Sequence, residues 1–498
     1  MNARIRRLGV GLVVCFGALF LMLNYVQVLR ADDLNEHPGN SRALVRDFDQ
    51  PRGSIVSRDG FLLAESVASD DQYEFQRRYP EGELFGHVTG HFGLEVQSSG
   101  LERQYNDVLA GATIEQQFTS FRDLFVERDT TGNLTLSLRR DVQEAARVAL
   151  GGRRGSIVVI EPQTGEILAL WSFPSYDPNL LADHDDEAAA ATFAALDEDP
   201  GKPLLAKSYR DRFFPGSTFK VVTGSSAVDF GLATLSDPVF PRATAYTPPG
   251  TSRSITNFGG STCGGDLLAL TRVSCNTGFA ELGAEIVGPD RLVQTAEQFG
   301  FNEVPPLDLP DGVASVMPAD FGAPLDNDRV LFEDTPRLAQ VAIGQNDVSA
   351  TPLQMALVAA AVANRGEVPV PSVVHEIVDS DGGLLDEHEP SVWSEAVQPG
   401  AAEAMRLAMI ETAQSGTATA MAIPGFEVGG KTGTAQLGVD PPQSHAWVIG
   451  FAGPPGEEPT VAIAVIVEAD PDLGNQTGGT VAAPIARAVL EVALSDGA

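Results

Sequence analysis

Lysine is nearly absent from this sequence: its 33 basic residues include only Lys202, Lys207, Lys220 and Lys431. The 67 acidic residues outnumber all basic ones and give a formal net charge of -34 and an isoelectric point near 4.4. A field of that sign repels phosphates, so the composition excludes nucleic acid or an anionic lipid surface as the main partner. It does not indicate a particular chemistry, because genome composition or a saline habitat produces the same balance.

Cysteine is equally scarce, with three residues. Cys15 lies in an apolar N-terminal stretch, which leaves Cys263 and Cys275 as candidates for pairing. An oxidising compartment would permit a disulfide between them, whereas two small buried thiols are the alternative. The sequence leaves both possibilities open, because it carries no information on the geometry that a bridge needs.

Charged residues are missing from Leu8 to Leu29, a stretch long enough to cross a bilayer as one helix. The charges that flank it include Arg4, Arg6 and Arg7 before it, and Asp32, Asp33 and Glu36 after it. By the positive-inside rule, residues 1–7 form a cytoplasmic tail and the remaining chain lies outside the cell membrane. A cleaved signal peptide is the alternative, but its apolar core is usually shorter, and no small-x-small cleavage site follows Gln27. We therefore expect a single-pass membrane anchor.

At 498 residues, the chain is too long for one ordinary domain. Residues 31–150 are polar and rich in turns, with a hairpin pattern at Pro51–Ser66 around the turn signal Asp59-Gly60. They predict an elongated, non-catalytic domain that serves as a pedestal or docking unit. Residues 151–498 are expected to form a second domain.

The second domain is predicted to have an α/β (α+β) fold, entered through a helical pattern at Arg140–Leu150. Five apolar strands are indicated, the first two joined by a turn at Thr164-Gly165. They lie within Arg154–Ser172, 427–437, 445–453 and 460–469. These strands predict a five-stranded, mainly antiparallel sheet. Helical patterns occupy most of the sequence between them, and an apolar helix at 480–495 is expected to cover one face of the sheet.

Lys220 lies in an apolar stretch, where an unpaired charge would be costly. Pro215-Gly216 predicts a turn, Ser217 the start of a helix and Gly231 its end. Residues three apart share a helix face, so the Ser217 hydroxyl and the Lys220 amine can meet. Burial and the positive end of the helix dipole both favour a neutral amine, which can take the proton of a nucleophilic serine. A capping serine beside a snorkelling lysine is the structural alternative.

Two further elements accompany this serine and lysine. Ser274-Cys275-Asn276 lies 57 residues beyond Ser217, and Lys431-Thr432-Gly433-Thr434 follows 157 residues later on a predicted strand. Ser-x-x-Lys, Ser-x-Asn and Lys-Thr-Gly in this order are typical of penicillin-binding proteins and the related β-lactamases. Each element alone has a structural explanation, but their joint occurrence uses two of the four lysines and indicates an acylating serine enzyme.

The chain resembles a class B (monofunctional) penicillin-binding protein, of the actinobacterial PbpA-like group, over nearly its whole length. Besides the three motifs, the resemblance rests on PRGSIVSRDGFLLAES, YPEGELFGHVTG, GLERQYNDVLAG, RGSIVVIEPQTGEILAL, AIGQNDVSATPLQMALVAAAVANRG and HAWVIGFAG. It implies a penicillin-binding transpeptidase fold and a peptidoglycan D,D-transpeptidase that cross-links the bacterial cell wall, with a role at division expected. It also implies acylation by β-lactam antibiotics.

The roles of the first site residues follow from this resemblance. Ser217 would attack the penultimate D-Ala carbonyl of a stem peptide that ends in D-Ala-D-Ala, with Lys220 as the base. Ser274 would relay a proton toward the leaving amine. Asn276 would hydrogen-bond the substrate backbone and help to fix Lys220.

The resemblance also assigns the strand Lys431-Thr432-Gly433-Thr434 to substrate binding. Lys431 would supply positive potential, and the two threonine hydroxyls would hold the terminal carboxylate of the substrate. The backbone N–H groups of Ser217 and Thr434 would form the oxyanion hole. No cofactor and no metal is implied. A SEDS-type glycosyltransferase of the RodA or FtsW kind is the implied membrane partner, because no glycosyltransferase pattern precedes the second domain.

Three other functions remain as alternatives. A D,D-carboxypeptidase would pass the acyl group to water, but the N-terminal segments resemble the transpeptidase group. A β-lactamase needs a base for deacylation, and no glutamate motif for it lies between Asn276 and Lys431. A β-lactam sensor or non-catalytic scaffold would bind the drug without turnover, but a seven-residue tail leaves no room for a signalling domain.

His87 and His91 are four residues apart, as helical metal ligands are. Gly86 and Gly90 weaken any helix there, and the glutamate expected after the first histidine is missing. A metal site is therefore not predicted. His445, just beyond the Lys-Thr-Gly strand, is expected to have a structural position in the next strand.

Overall fold

In the computed structural model, the N-terminal helix contains most of the apolar stretch that was predicted to be a membrane anchor. The structure describes residues 2–26, 48–93, 96–113, 116, 130–325, 331–439, 442–471, 474 and 476–495. The helix Asn2–Asn24 contains a span, Arg6–Asn24, that is long and apolar enough to cross a membrane and is not buried by the rest of the protein. Residues 27–29 of the predicted anchor and its acidic flank lie outside the described residues.

The first sheet has six strands. In spatial order they are Leu384–Glu387, Val374–Asp379, Gly132–Leu136, Ile55–Val56, Leu62–Ala68 and Phe75–Arg78. The predicted hairpin is confirmed: Ile55 pairs antiparallel with Ala64, and Gly60 takes the positive φ of 82° that its turn requires.

Two strands of this sheet come from the C-terminal half of the chain. Val374–Asp379 pairs antiparallel with Gly132–Leu136, which the predicted division at residue 150 would separate from it. Helix Arg140–Leu150 has the predicted bounds, but it packs on the C-terminal helix and on strand Ile167–Phe173 of the second sheet. The chain thus crosses between the two sheets, and local sequence patterns carry no information on such long-range pairing.

The second sheet has five strands and is antiparallel throughout, as predicted. In spatial order they are Glu427–Gln436, Ser444–Gly453, Val461–Val467, Gly155–Ile160 and Ile167–Phe173. All residues of Val461–Val467 are buried, because helices cover the sheet. Pro352–Ala363 and the C-terminal helix Ala483–Ala493 both pack against this strand. Strand Glu427–Gln436 lies at the sheet edge, where it borders the candidate site.

The sequence between these strands contains more helix than strand but is not mainly helical as predicted, because irregular segments and eight short strands also lie in it. Among the described residues, the other α-helices are Gly86–Thr89, Gly100–Gln104, Asn106–Leu109, Asp186–Glu198, Lys207–Arg210, Lys220–Asp229, Leu267–Arg272, Asn276–Glu281, Pro289–Gln298, Thr335–Val341 and Pro399–Ser415. Short 3-10 or π-helical segments are Gly82–Leu84, Pro178–Leu180, Gly216–Phe219, Phe258–Gly260, Leu282–Val287, Thr419–Met421 and Gly478–Ala482. Small two-stranded sheets pair Phe240–Ala243 with Cys263–Gly265, Ala245–Tyr246 with Ile255–Thr256, and Glu367–Pro369 with Val392–Glu395.

Candidate active site

Ser217 lies in a tight turn rather than in the α-helix itself. The turn Gly216–Phe219 is 3-10 helical and runs directly into the α-helix Lys220–Asp229. The helix ends where the sequence predicts, because Gly231 follows it with a φ of 67°. Gly216 has a φ of 54°, and its N–H donates to the Gly344 carbonyl at 2.8 Å, which fixes the start of the turn.

Two glycines let this turn lie directly against the edge strand. A Cβ at Gly433 would lie 2.9 Å from the Pro215 carbonyl oxygen, and one at Gly216 would lie 3.1 Å from the Thr434 carbonyl. A side chain at Gly433 would therefore point at the turn, and Gly433 is not among the residues that line the cavity in front of it. Its role is to permit close approach, because any side chain would push the strand away from Ser217.

Lys220 is completely buried, and the Ser-Cys-Asn loop supplies its hydrogen-bond acceptors. The Nζ atom donates to Asn276 Oδ1 at 2.6 Å, to the Ser274 carbonyl at 2.9 Å and to Ser274 Oγ at 3.4 Å. Among the described residues, Lys220 has no hydrogen bond to Ser217, although the helical spacing predicts that the two side chains meet. The three acceptors on the loop draw the amine toward Ser274 and Asn276.

Ser274 connects the two buried lysines. Lys431 Nζ donates to Ser274 Oγ at 2.7 Å and to the Thr432 carbonyl at 2.8 Å, so the serine oxygen is shared by both amines. Ser274 has a φ of 58°, a left-handed conformation that costs a residue with a side chain about 1 kcal/mol. This strained backbone brings both the carbonyl and the hydroxyl of Ser274 within reach of Lys220.

The surroundings of both lysines lower the pKa of the amine. Burial lowers the pKa of Lys220 well below its usual value, and the nearby charge of Lys431 lowers it further. Burial also lowers the pKa of Lys431, to about 7. In the described part of the chain, neither amine has a carboxylate within ion-pair distance. A neutral Lys220 is the form that can accept a proton from a serine hydroxyl.

A disulfide joins Cys263 to Cys275, the middle residue of the Ser-Cys-Asn loop. The pairing that the sequence leaves open is therefore formed, with the two Cα atoms 5.8 Å apart. Two hydrogen bonds strengthen the same connection: Asn276 Nδ2 donates to the Thr256 carbonyl at 2.9 Å, and the Thr277 N–H donates to Asn257 Oδ1 at 3.0 Å. The loop that holds Lys220 is thus anchored to the neighbouring segment 256–263.

A cavity of about 780 Å³ opens in front of this arrangement. Five predicted site residues line it: Ser217, Ser274, Asn276, Thr432 and Thr434. The motifs do not reveal the rest of its wall, which includes Phe258, Val273, Gln345, Thr417, Thr477 and Thr480. These residues lie in loops and at helix ends without a periodic pattern. Ile343 and Gln345, which both line the cavity, lie in a segment, 342–366, on which the family resemblance rests.

Comparison with known proteins identifies the arrangement. Residues 155–491 match the family described as the penicillin-binding protein transpeptidase domain, which is more than half of the chain. The chain belongs to this penicillin-binding protein family. Residues 52–134 match a second family, described as the penicillin-binding protein A dimerisation domain.

Relatives of this penicillin-binding protein match it from end to end. It is 37% identical over 509 residues to the peptidoglycan D,D-transpeptidase PbpA of Mycolicibacterium smegmatis, with 100% of both chains covered. It is 36% identical to PbpA of Mycobacterium tuberculosis, with 99% of both covered. The structure of penicillin-binding protein A from M. tuberculosis as a ceftriaxone acyl-enzyme complex superposes with a TM-score of 0.81 at 35% identity, over 91% of this chain and 100% of that one.

The three histidines considered in the sequence make hydrogen bonds within the fold. His87 Nε2 hydrogen-bonds the Pro203 carbonyl at 2.7 Å, and His91 Nδ1 hydrogen-bonds Ser99 Oγ at 2.9 Å. Burial lowers the pKa of each to about 4. His445 lies in strand Ser444–Gly453, and its Nδ1 accepts the Ala469 N–H at 2.9 Å. Within the described ranges, no cluster of three or more metal-ligating side chains occurs.

Proposed function

We propose that this penicillin-binding protein is a peptidoglycan D,D-transpeptidase that acts through an acyl-enzyme on Ser217. The serine oxygen attacks the penultimate D-Ala carbonyl of a stem peptide, the terminal D-Ala leaves, and an amine of a neighbouring strand takes the acyl group. β-Lactams acylate the same oxygen. The observation that carries this proposal is that two buried amines share the Ser274 hydroxyl, and that Ser274 and Ser217 line the same cavity.

Proton transfer in the proposed reaction runs through Lys220 and Ser274. As the Ser217 oxygen bonds to the carbonyl carbon, its proton passes to neutral Lys220. The C–N bond then breaks as Ser274 gives its proton to the departing amine and takes up the proton that Lys220 received. When the acceptor amine displaces the acyl group from Ser217, the proton that this amine loses returns through Lys220 to the Ser217 oxygen. Asn276 keeps Lys220 in place through its Oδ1, and the 2.6 Å contact between them supports that role.

The edge strand is proposed to bind the substrate carboxylate and the oxyanion. Protonated Lys431 attracts the carboxylate, and the hydroxyls of Thr432 and Thr434 donate hydrogen bonds to it. The N–H groups of Ser217 and Thr434 stabilise the oxyanion. The close approach of Gly216 to Thr434 supports this pairing, because it keeps the two backbones within reach of one carbonyl oxygen.

Labelling with a fluorescent penicillin tests the proposal. The wild-type chain is expected to bind one label per molecule. Ser217→Ala is expected to abolish labelling while the melting temperature stays near that of the wild type, since Ser217 is partly exposed. Undiminished labelling of the alanine variant would place the acylated residue elsewhere.

The lifetime of the acyl-enzyme distinguishes a transferase from a hydrolase. The proposal predicts that an added D-amino acid shortens the lifetime of a thioester-derived acyl-enzyme and appears in the product. Release that is fast without the amine and indifferent to it would indicate a D,D-carboxypeptidase or a β-lactamase. An acyl-enzyme that neither water nor amine resolves would indicate a sensor or scaffold.

The proposal extends to placement in the cell. Helix Arg6–Asn24 supports a single-pass anchor, with residues 1–7 in the cytoplasm and the catalytic unit outside. Residues 31–150 then serve as the docking domain and 151–498 as the transpeptidase domain. A SEDS-type glycosyltransferase in the same bilayer supplies the uncross-linked strands, at the division site. Copurification in detergent and septal localisation of a fluorescent fusion test the partner and the place.

A further inference from the structure

Gln345 lines the cavity, but neither the three motifs nor the proposed roles include it. Its side chain is partly exposed. Within the part of the chain that the structure describes, only its backbone N–H is hydrogen-bonded, to the Gln340 carbonyl at 3.0 Å, and its side-chain amide has no protein partner. An amide that lines a cavity without such a partner is available to bind a ligand there.

The backbone around Gln345 is packed against the turn that carries Ser217. The Gly344 carbonyl accepts the Gly216 N–H at 2.8 Å, and a Cβ at Gly344 would lie 1.9 Å from the Gly216 carbonyl oxygen. The residues on either side of Gln345, Gly344 and Asn346, have φ values of 77° and 66°. Gln345 therefore lies in a sharply bent loop that directly contacts the residue before Ser217.

The edge strand indicates which part of an acyl donor lies near Gln345. A Cβ at Gly216 would lie 3.1 Å from the Ala435 backbone nitrogen, so the turn contacts the strand beyond Thr432, where the proposed carboxylate site begins. A donor that lies along the strand with its carboxylate at Thr432 directs its acyl part toward Ala435 and Gln436. Gln436 also lines the cavity. Gln345, which is packed on the same turn, therefore lies on the acyl side of the donor.

The acyl part of a stem peptide contains a series of peptide groups. The first joins the penultimate D-Ala to the residue before it, and the second lies one residue further from the reacting carbonyl. Penicillin G has a counterpart of the first group in its side-chain amide, but it has no counterpart of the second. A glutamine amide matches a peptide group, since Nε2 can donate to the peptide carbonyl and Oε1 can accept from the peptide N–H.

We infer that Gln345 binds the second peptide group of the acyl donor, counted from the penultimate D-Ala, and thereby favours donors with a peptide chain over donors with a short acyl group. The inference rests on the proposed function, since it concerns the stem peptide that Ser217 is proposed to attack. Gln345 takes no part in proton transfer, so its contribution is to the choice of donor.

Two thioester donors of equal chain length test this role on the full-length protein in detergent. Acetylglycyl-D-alanyl thioglycolate has the second peptide group, whereas pentanoyl-D-alanyl thioglycolate has methylene groups in its place. The release of thioglycolate gives the second-order rate constant of acylation for each donor. The wild-type chain is expected to react roughly 5-fold faster with the acetylglycyl donor, since a neutral hydrogen bond contributes about 1 kcal/mol.

Two variants connect this preference to Gln345. Gln345→Met keeps the length of the side chain and removes its hydrogen-bonding atoms. It is expected to slow the acetylglycyl donor roughly 5-fold and to leave the pentanoyl donor and penicillin G within about twofold of the wild type. Gln414→Met is the matched control, because Gln414 is exposed on helix Pro399–Ser415 and does not line the cavity. It is expected to leave the ratio of the two rate constants unchanged.

Three results would contradict the inference. Equal rate constants for the two donors in the wild type would mean that the second peptide group is not bound, and this comparison needs no variant. Equal slowing of both donors by Gln345→Met would indicate a merely structural role, and an unaltered preference in that variant would place the contact on another residue. A wild-type chain that neither thioester nor penicillin acylates at Ser217 would contradict the proposed function as well, whereas acylation by both thioesters at equal rates contradicts this inference alone.

Discussion

Two buried clusters of charged residues, one in the N-terminal region and one at the catalytic site, are built in opposite ways. In the first, Glu102 lies between two arginines, with Arg77 Nε 2.6 Å and Arg52 Nε 3.1 Å from its carboxylate oxygens. All three side chains are almost inaccessible to water. In the second, Lys220 and Lys431 are equally inaccessible but contact only neutral oxygens.

The difference in partners separates a structural role from a chemical one. Burial alone would raise the pKa of Glu102, but Arg77 and Arg52 outweigh it and the net shift is downward, so the carboxylate keeps its charge. The pKa of Lys220 falls, because burial disfavours its charge and its nearest ionisable neighbour has the same sign. A paired charged group keeps its ionised form, whereas an amine without a carboxylate partner is available for proton transfer.

Lys207 provides a comparison within the catalytic region itself. It is as buried as Lys220, but its Nζ lies 2.5 Å from Glu468 Oε1. Glu468 also pairs with Arg154, so this lysine belongs to a salt-bridge network like that of the arginines. Three of the four lysines in the chain are thus buried, and the partner rather than the burial distinguishes those at the site.

The largest expected effect comes from Lys220→Arg. A guanidinium stays protonated in proteins and cannot accept the proton of Ser217. Acylation by a fluorescent penicillin is expected to slow by roughly 10³-fold or more, as when a general base is lost. The measurement is the labelling rate, read together with the melting temperature.

Lys207→Arg is the matched control for this prediction. It keeps a charge beside Glu468, so the labelling rate is expected to stay within about threefold of the wild type if the ion pair is structural. Equal losses in the two variants, at equal melting temperatures, would contradict the distinction between paired and unpaired buried lysines.

The next effect is on stability and concerns the N-terminal cluster. Glu102→Gln leaves two buried arginines without their counter-charge, which is expected to lower the free energy of unfolding by about 3–5 kcal/mol. The labelling rate of the folded molecules is expected to stay unchanged. Urea denaturation of the chain in detergent, followed by fluorescence, measures the first quantity.

Glu65→Gln provides the surface counterpart, since Glu65 pairs with the largely exposed Arg78. Its expected effect is below about 1 kcal/mol, because solvent screens an exposed ion pair. If the two variants unfold at the same urea concentration, burial does not determine how much these ion pairs contribute to the free energy of unfolding.

How far the sequence predicts this molecule depends on the range of the interactions. The turn before Ser217, the end of its helix at Gly231 and the hairpin around Asp59-Gly60 follow from local chemistry and are confirmed. The five-stranded sheet follows from apolar periodicity. The pairing of Val374–Asp379 with the N-terminal strand has no local signal, because both strands would have the same pattern in either sheet.

In the candidate active site, too, the contacts between residues far apart in the sequence are the ones that could not be predicted. Motif order predicts which residues gather, and Ser217, Ser274, Asn276, Thr432 and Thr434 do line one cavity. It does not predict the hydrogen bonds from Lys220 to the carbonyl and hydroxyl oxygens of Ser274, since these acceptors lie more than fifty residues away along the chain. Positions such as Thr417, which line the cavity outside the three motifs, can be identified only from the structure.

The smallest effect is the pH dependence of acylation, which tests whether the two lysines act in different protonation states. Below its pKa, Lys220 is protonated and cannot accept a proton, so acylation rises with pH. Lys431 loses its charge as the pH passes about 7, which weakens the attraction for a carboxylate. Penicillin G is therefore expected to give a bell-shaped profile that falls roughly 5- to 10-fold on the alkaline side, as a charge-assisted contact is lost.

The methyl ester of penicillin G and the variant Lys431→Arg sharpen this last test. The ester carries no charge for Lys431 to attract, so its profile is expected to rise and then level off. In Lys431→Arg the guanidinium stays charged, and penicillin G is expected to lose its alkaline decline. If acid and ester decline together above pH 7, the decline reports another group, and the division of labour between a neutral Lys220 and a charged Lys431 is wrong.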